Sequence, residues 1–95
     1  MDRKRFIDDV ERKLREWDAR LDAKQREAAA AKDESKARFQ REVAKLDDRR
    51  AKLRSRLEEA RTKSEEGWDR VAKELGDAWN ELEAASQDAW QALRS

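Results

Sequence analysis

The chain contains no cysteine, histidine, proline or tyrosine, and only two glycines. Without cysteine it can form neither a disulfide nor a thiolate metal site. Histidine and cysteine supply many of the general bases and nucleophiles of enzymes, and no glycine-rich phosphate loop is present. The residues that usually break helices are almost absent as well. The sequence therefore predicts a protein that is not an enzyme and has no cofactor or metal site.

Charge dominates what the sequence does contain. Hydrophobic residues make up 37% of the 95 residues and charged residues 49%, so the chain forms at most one small domain. Such a composition is typical of long helices and coiled coils, although disorder shares its high charge. The near balance of 24 Lys and Arg against 23 Asp and Glu argues against disorder. So does the helical spacing of the apolar residues, and we predict one all-α domain over residues 1–95.

Three tryptophans, Trp68, Trp79 and Trp90, stand 11 residues apart. Eleven residues make about three helical turns, so one face of a helix would carry all three indoles. Each tryptophan is followed three residues later by valine or leucine, which makes the segment a short internal repeat. The repeat predicts an amphipathic helix over residues 64–95 that buries one face.

Apolar residues spaced by three and four define three seams, and these are the predicted core and interaction residues. The first seam comprises Val10, Leu14, Trp17 and Leu21; the second, Phe39, Val43, Leu46, Leu53 and Leu57; and the third, Trp68, Val71, Leu75, Trp79, Leu82, Trp90 and Leu93.

The clearest break in the helical pattern lies at residues 62–67. Ser64 could cap a new helix with its hydroxyl, and Gly67 lowers helix propensity. The break divides a charged heptad segment, residues 1–63, from the tryptophan helix, residues 64–95. A weaker break lies near residue 33, where Asp33 could cap a helix, but no glycine or proline marks a turn there.

Two arrangements follow. The favoured one is a single helix from near residue 3 to near residue 62, folded against the last helix as a long helical hairpin, an antiparallel coiled coil. Its long helix would span ~90 Å and the last helix only ~42 Å, so Ile7 to Leu21 would stay bare and require at least a dimer. A break near residue 33 would instead give a three-helix bundle that can close as a monomer.

The charge distribution along the chain indicates which classes of partner fit it. Residues 1–63 hold 21 Lys and Arg against 15 Asp and Glu, whereas residues 64–95 hold 3 against 8, so the two parts attract each other. The sequence argues against nucleic acid binding, because the basic cluster from Arg49 to Arg56 is flanked by acidic residues and the net charge of the chain is only +1. A lipid surface is the stronger alternative partner, since an apolipoprotein-like amphipathic helix could lie on it. The acidic character of the tryptophan segment argues against this alternative.

The whole pattern resembles a group of short, mostly uncharacterised bacterial coiled-coil proteins. The residues that carry the resemblance are Glu16-Trp17-Asp18 near the start and a tail of Ala-Trp-x-x-Leu repeats, with Gly67 in place of the first alanine. The resemblance implies an all-α coiled coil and transfers no activity.

These observations predict a functional class but no specific activity. We expect a structural or protein-interaction coiled coil that forms a homo-oligomer and could bind a further protein, with an amphipathic lipid-surface protein as the alternative. No apolar stretch approaches the ~20 residues needed to cross a bilayer, so the expected location is the cytoplasm.

Overall fold

The computed structural model describes residues 2–94 and consists of three α-helices. Helix α1 spans Arg3–Ala29, α2 spans Asp33–Thr62 and α3 spans Trp68–Ala92. Each helix runs antiparallel to the next along the chain, so α1 and α3 are parallel to each other. The bundle measures 51 × 17 × 16 Å. The predicted all-α class is confirmed, and of the two predicted arrangements the three-helix bundle is the one observed.

The expected single helix from residue 3 to residue 62 is wrong, because α1 ends at Ala29 and α2 begins at Asp33. Residues 30–32 turn the chain without a positive φ angle: Ala30 has φ −99° and ψ 1°, and Lys32 has φ −62° and ψ 150°. Asp33 is not the cap either, since Lys32 holds that position without a side-chain hydrogen bond. The physical reason for the turn is tertiary: folding back lets α1 bury the seam that a straight helix would leave in water.

The second connection, residues 63–67, lies where a break was predicted. Gly67 adopts the left-handed conformation, with φ 85°, and immediately precedes Trp68, the first residue of α3. Ser64 does not cap the helix, because α3 begins four residues later and the Ser64 hydroxyl lies 3.4 Å from the carbonyl oxygen of Glu66. Gly67 therefore belongs to the turn, at a position that disfavours any residue with a Cβ atom.

One continuous core runs along the bundle axis. Among the predicted seam residues, the buried ones are Val10, Leu14, Trp17, Phe39, Leu46, Leu53, Leu57, Val71, Leu75, Leu82 and Trp90. The partly buried ones, which pack against that core, are Leu21, Val43, Trp68, Trp79 and Leu93. Helix α3 lies closest to α2. It presents small buried residues such as Ala78 and Ala89, and the distance between two packed helices depends on the size of such residues.

Candidate interaction groove between α1 and α3

The side of the bundle between α1 and α3 differs from the other two sides in its electrostatics. Ion pairs cross the other two sides: Arg50 donates two hydrogen bonds of 2.7 and 2.8 Å from α2 to Asp18 on α1, and Lys52 of α2 lies 3.3 Å from Glu81 of α3. No ion pair joins α1 to α3 within residues 2–94. A groove runs along this side and includes a hollow of about 360 Å³.

The ion pairs between α1 and α2 hold α1 from one flank. Hydrogen bonding to Asp18 raises the pKa of Arg50 above its ordinary value, and desolvation partly opposes this shift. Arg61 behaves similarly, since hydrogen bonds of 2.8 and 3.3 Å to Glu11 raise its pKa. Arginine stays protonated in proteins, so both pairs persist as long as their carboxylates are ionised.

A buried hydrogen bond crosses the floor of the groove. The indole Nε1–H of Trp17 donates to Ser86 Oγ over 2.7 Å, and the Ser86 hydroxyl donates to the Leu82 carbonyl over 2.6 Å. Trp17 is 6% exposed and Ser86 2%. Because the indole N–H has no access to bulk water, it depends on Ser86 for its hydrogen bond. This bond sets the position of α1 along α3.

The repeated tryptophans share a helix face but not their surroundings. Trp90 stacks on Phe39, with ring centroids 6.4 Å apart, and is 4% exposed. Trp79 is only partly buried, and the Lys13 ammonium lies 5.9 Å from its ring centroid. Trp68 is partly buried as well. The 11-residue spacing places the rings in line, but the residue facing each ring from α1 or α2 decides how deeply it is buried.

A second hollow of about 340 Å³ extends the groove toward the start of α1. There the Phe6 and Trp68 rings form a T-shaped pair, with a centroid distance of 6.0 Å and an interplanar angle of 90°. Ala72 lines this hollow, and a Cβ atom added to Gly76 would find no atom within 4 Å. Trp79 therefore stands in the groove with small residues on one side and the larger hollow on the other.

The rims of the larger hollow carry charges that have no ionic partner. On α1 these are Lys13, Glu16 and Arg20, and on α3 the charge is Glu83. None of the four takes part in an ion pair among the described residues. The α1 rim is therefore net positive and the α3 rim negative.

Ser86 is not among the predicted core and interaction residues, although the sequence places it on the same core-facing arc as the third seam. It lies four residues after Leu82, on the buried face of α3, where serine is unusual unless its hydroxyl has a partner. Trp17 was selected as an apolar seam residue, yet its indole N–H is a donor that needs an acceptor when buried. A serine on the buried face of one helix and a buried indole donor on another together could have predicted this hydrogen bond.

The basic cluster of α2 is largely engaged within the bundle. Arg50 and Lys52 form the ion pairs described above, and Arg56 lies 3.2 Å from Glu59 and 3.4 Å from Glu74. In the part of the chain that the structure describes, no group of three or more His, Cys, Asp or Glu residues could hold a metal ion. No helix among the described residues combines the length and apolar character required to span a membrane.

No protein-family model matches the chain, and the searches of curated proteins and of solved structures also give no match.

Proposed function

We propose that the protein is a non-enzymatic, cytoplasmic interaction module that self-associates through the groove between α1 and α3. The observation that carries the proposal is the partly buried Trp79 ring in a groove whose rims bear opposite charges without an ionic partner. Tryptophan is enriched at protein interfaces because it buries a large area at little entropic cost.

A second copy of the chain fits this groove by charge. Since α1 and α3 are parallel, a two-fold axis along the helices places α1 of one copy opposite α3 of the other. Arg20 then faces Glu83 twice in the dimer, as an isologous interface requires. A two-fold axis perpendicular to the helices would instead bring the two α1 rims together, and their like charges would repel.

The reason for association differs from the one that the sequence suggested. A bare seam in a two-helix hairpin would have required a strong dimer, but Ile7, Val10, Leu14 and Trp17 are buried within the chain. What is left for a partner is a narrow groove with three partly buried aromatic residues, Phe6, Trp68 and Trp79. We therefore expect a weak, rapidly reversible dimer with a dissociation constant between micromolar and millimolar.

Lipid binding is the alternative function, and the partial exposure of Trp68 and Trp79 is the observation in its favour. Against it, the main apolar residues of α3 face the core. Helix α3 also carries six acidic and two basic residues, which disfavours an anionic surface.

Sedimentation velocity over a range of concentrations tests the proposal. The weight-average sedimentation coefficient of the wild type should rise with concentration from the monomer value toward the dimer value. Trp79→Ala should remain monomeric at the same concentrations. Asn80→Ala, an exposed change at the adjacent position, is the matched control and should associate like the wild type. Circular dichroism would verify that each variant is folded.

A wild type that is monomeric at every concentration would contradict self-association, as would a dimer unaffected by Trp79→Ala. A saturable shift of tryptophan emission on addition of neutral phosphatidylcholine vesicles, with no self-association, would support the lipid function instead.

A further inference from the structure

The connection between α1 and α2 contains nothing that requires a turn. Ala28, Ala29, Ala30 and Ala31 form the strongest helix-forming run of the chain, and no glycine or proline follows before α2. No residue in the connection has a positive φ angle. Residues 30–32 could therefore adopt helical angles without steric conflict, and they would gain backbone hydrogen bonds by doing so.

The core faces of α1 and α2 would also coincide in such a continuous helix. Val10 and Leu46 are 36 residues apart, as are Trp17 and Leu53, and this spacing is about ten turns at 3.6 residues a turn. Buried residues of both helices would thus point to the same side of one straight helix. Coincident faces are what a second chain needs in order to cover both halves at once.

We propose that two copies of the chain exchange α1. In the exchanged dimer, α1 and α2 join through residues 30–32 into one helix of ~90 Å, and two such helices pack antiparallel. Each α1 then lies on α2 and α3 of the partner chain. Each chain thereby replaces its intramolecular contacts with identical intermolecular ones, which makes domain swapping a low-cost route to a dimer.

The contacts that would be exchanged are those that α1 makes with α2 and α3. Besides the buried residues of α1, they include the Arg50–Asp18 and Arg61–Glu11 ion pairs and the hydrogen bond from Trp17 to Ser86. All of them join α1 to another helix, and none involves the connection itself. The closest helix pair, α2 with α3, stays within one chain.

This inference goes beyond the proposed function, because the exchange takes place through the connection at residues 30–32 and does not require a second copy to bind in the groove. The two modes also differ in rate. A groove dimer should equilibrate quickly, whereas exchange requires α1 to detach from its own chain and should be slow.

Spin-label distances within one chain distinguish the two modes. The chain has no cysteine, so Ala23→Cys together with Ala44→Cys gives two labels at exposed positions of α1 and α2. The doubly labelled chain is unfolded and refolded with an excess of unlabelled chain at high concentration. Only distances within single chains then contribute to the pulsed dipolar signal.

The hairpin holds the labels on neighbouring helices, one to two helix diameters or ~10–20 Å apart. A continuous helix separates positions 23 and 44 by 21 residues, which corresponds to ~32 Å. We expect a ~32 Å population in the dimer fraction isolated after refolding. Refolded samples with only the short distance would overturn the exchange, and a dimer with only the short distance would overturn it while leaving the groove proposal intact.

Asp33→Pro provides a variant that favours the hairpin. Asp33 is the first residue of α2, where proline is well tolerated, and the extended backbone of Lys32 suits the residue before proline. Proline inside a continuous helix is strongly disfavoured, because it removes a backbone hydrogen bond and its ring clashes with the preceding turn. We expect Asp33→Pro to abolish the ~32 Å population and Asp33→Ala, the matched control, to retain it. Equal populations in both variants would contradict a continuous helix through the connection.

Discussion

Replacing Ser86 by alanine tests whether the buried hydrogen bond to Trp17 stabilises the bundle. The substitution leaves the indole N–H without the acceptor that now lies 2.7 Å away, and Trp17 is 6% exposed. An unsatisfied buried donor costs about 1–3 kcal/mol, and the higher helix propensity of alanine returns about 0.5 kcal/mol. We therefore expect Ser86→Ala to lower the free energy of unfolding by about 0.5–2.5 kcal/mol.

The effect of Ser86→Ala on stability should differ in a chain that lacks the Trp17 indole donor. In a Trp17→Phe background no indole N–H remains, so Ser86→Ala should be neutral or slightly stabilising. The helix-propensity gain cancels between the two backgrounds, so a double-mutant cycle measured by urea titration with far-UV circular dichroism should give a coupling energy of about 1–3 kcal/mol. Ser55→Ala, at an exposed position of α2, is the control for helix propensity alone.

A coupling energy near zero would refute this reasoning. That result would mean that water in the groove replaces the hydroxyl, so that Ser86 does not fix the position of α1. A Ser86→Ala variant as stable as Ser55→Ala would lead to the same conclusion.

Three further substitutions have expected outcomes that follow from the backbone and the ion pairs. Gly76→Ala should stabilise the protein by about 1 kcal/mol in thermal unfolding, because Gly76 is inside α3 and an added Cβ meets no atom within 4 Å. Gly67→Ala should destabilise it by about 1–2 kcal/mol, because φ is +85° and the Cβ would lie 3.1 Å from Lys63 Cε; a gain in stability would contradict the left-handed turn. Arg50→Ala should cost about 1 kcal/mol in urea titration, with the loss shrinking at high salt, because the Arg50 and Asp18 side chains are 29% and 40% exposed; a loss independent of salt would indicate packing rather than charge.

Periodic apolar residues made most of the fold predictable. Each seam covers several turns, so the apolar face of each helix follows from spacing alone. The turn before α3 was also predictable, because Gly67 supplies a backbone conformation that other residues avoid.

The turn at residues 30–32 matches the weaker break predicted near residue 33, but the local sequence did not favour it. Ala30 and Ala31 favour helix, so the turn exists because α1 gains more by burying its seam against α2 and α3 than the connection loses in helical hydrogen bonds. That balance depends on contacts between residues far apart in the chain. The groove could not be predicted from the sequence for a similar reason, because the exposure of Trp79 depends on which α1 residue faces it.

Charge reversal across the groove tests the central claim, self-association through opposite rims, most directly. Arg20→Glu and Glu83→Arg should each prevent the dimer, because each places like charges opposite each other in the two-fold arrangement. Arg41→Glu, at an exposed position of α2, is the control and should still associate. In an equimolar mixture of the Arg20→Glu and Glu83→Arg chains, both rim contacts become attractive, so sedimentation velocity should show a heterodimer that neither variant forms alone. A mixture that stays monomeric while the wild type dimerises would contradict the groove interface.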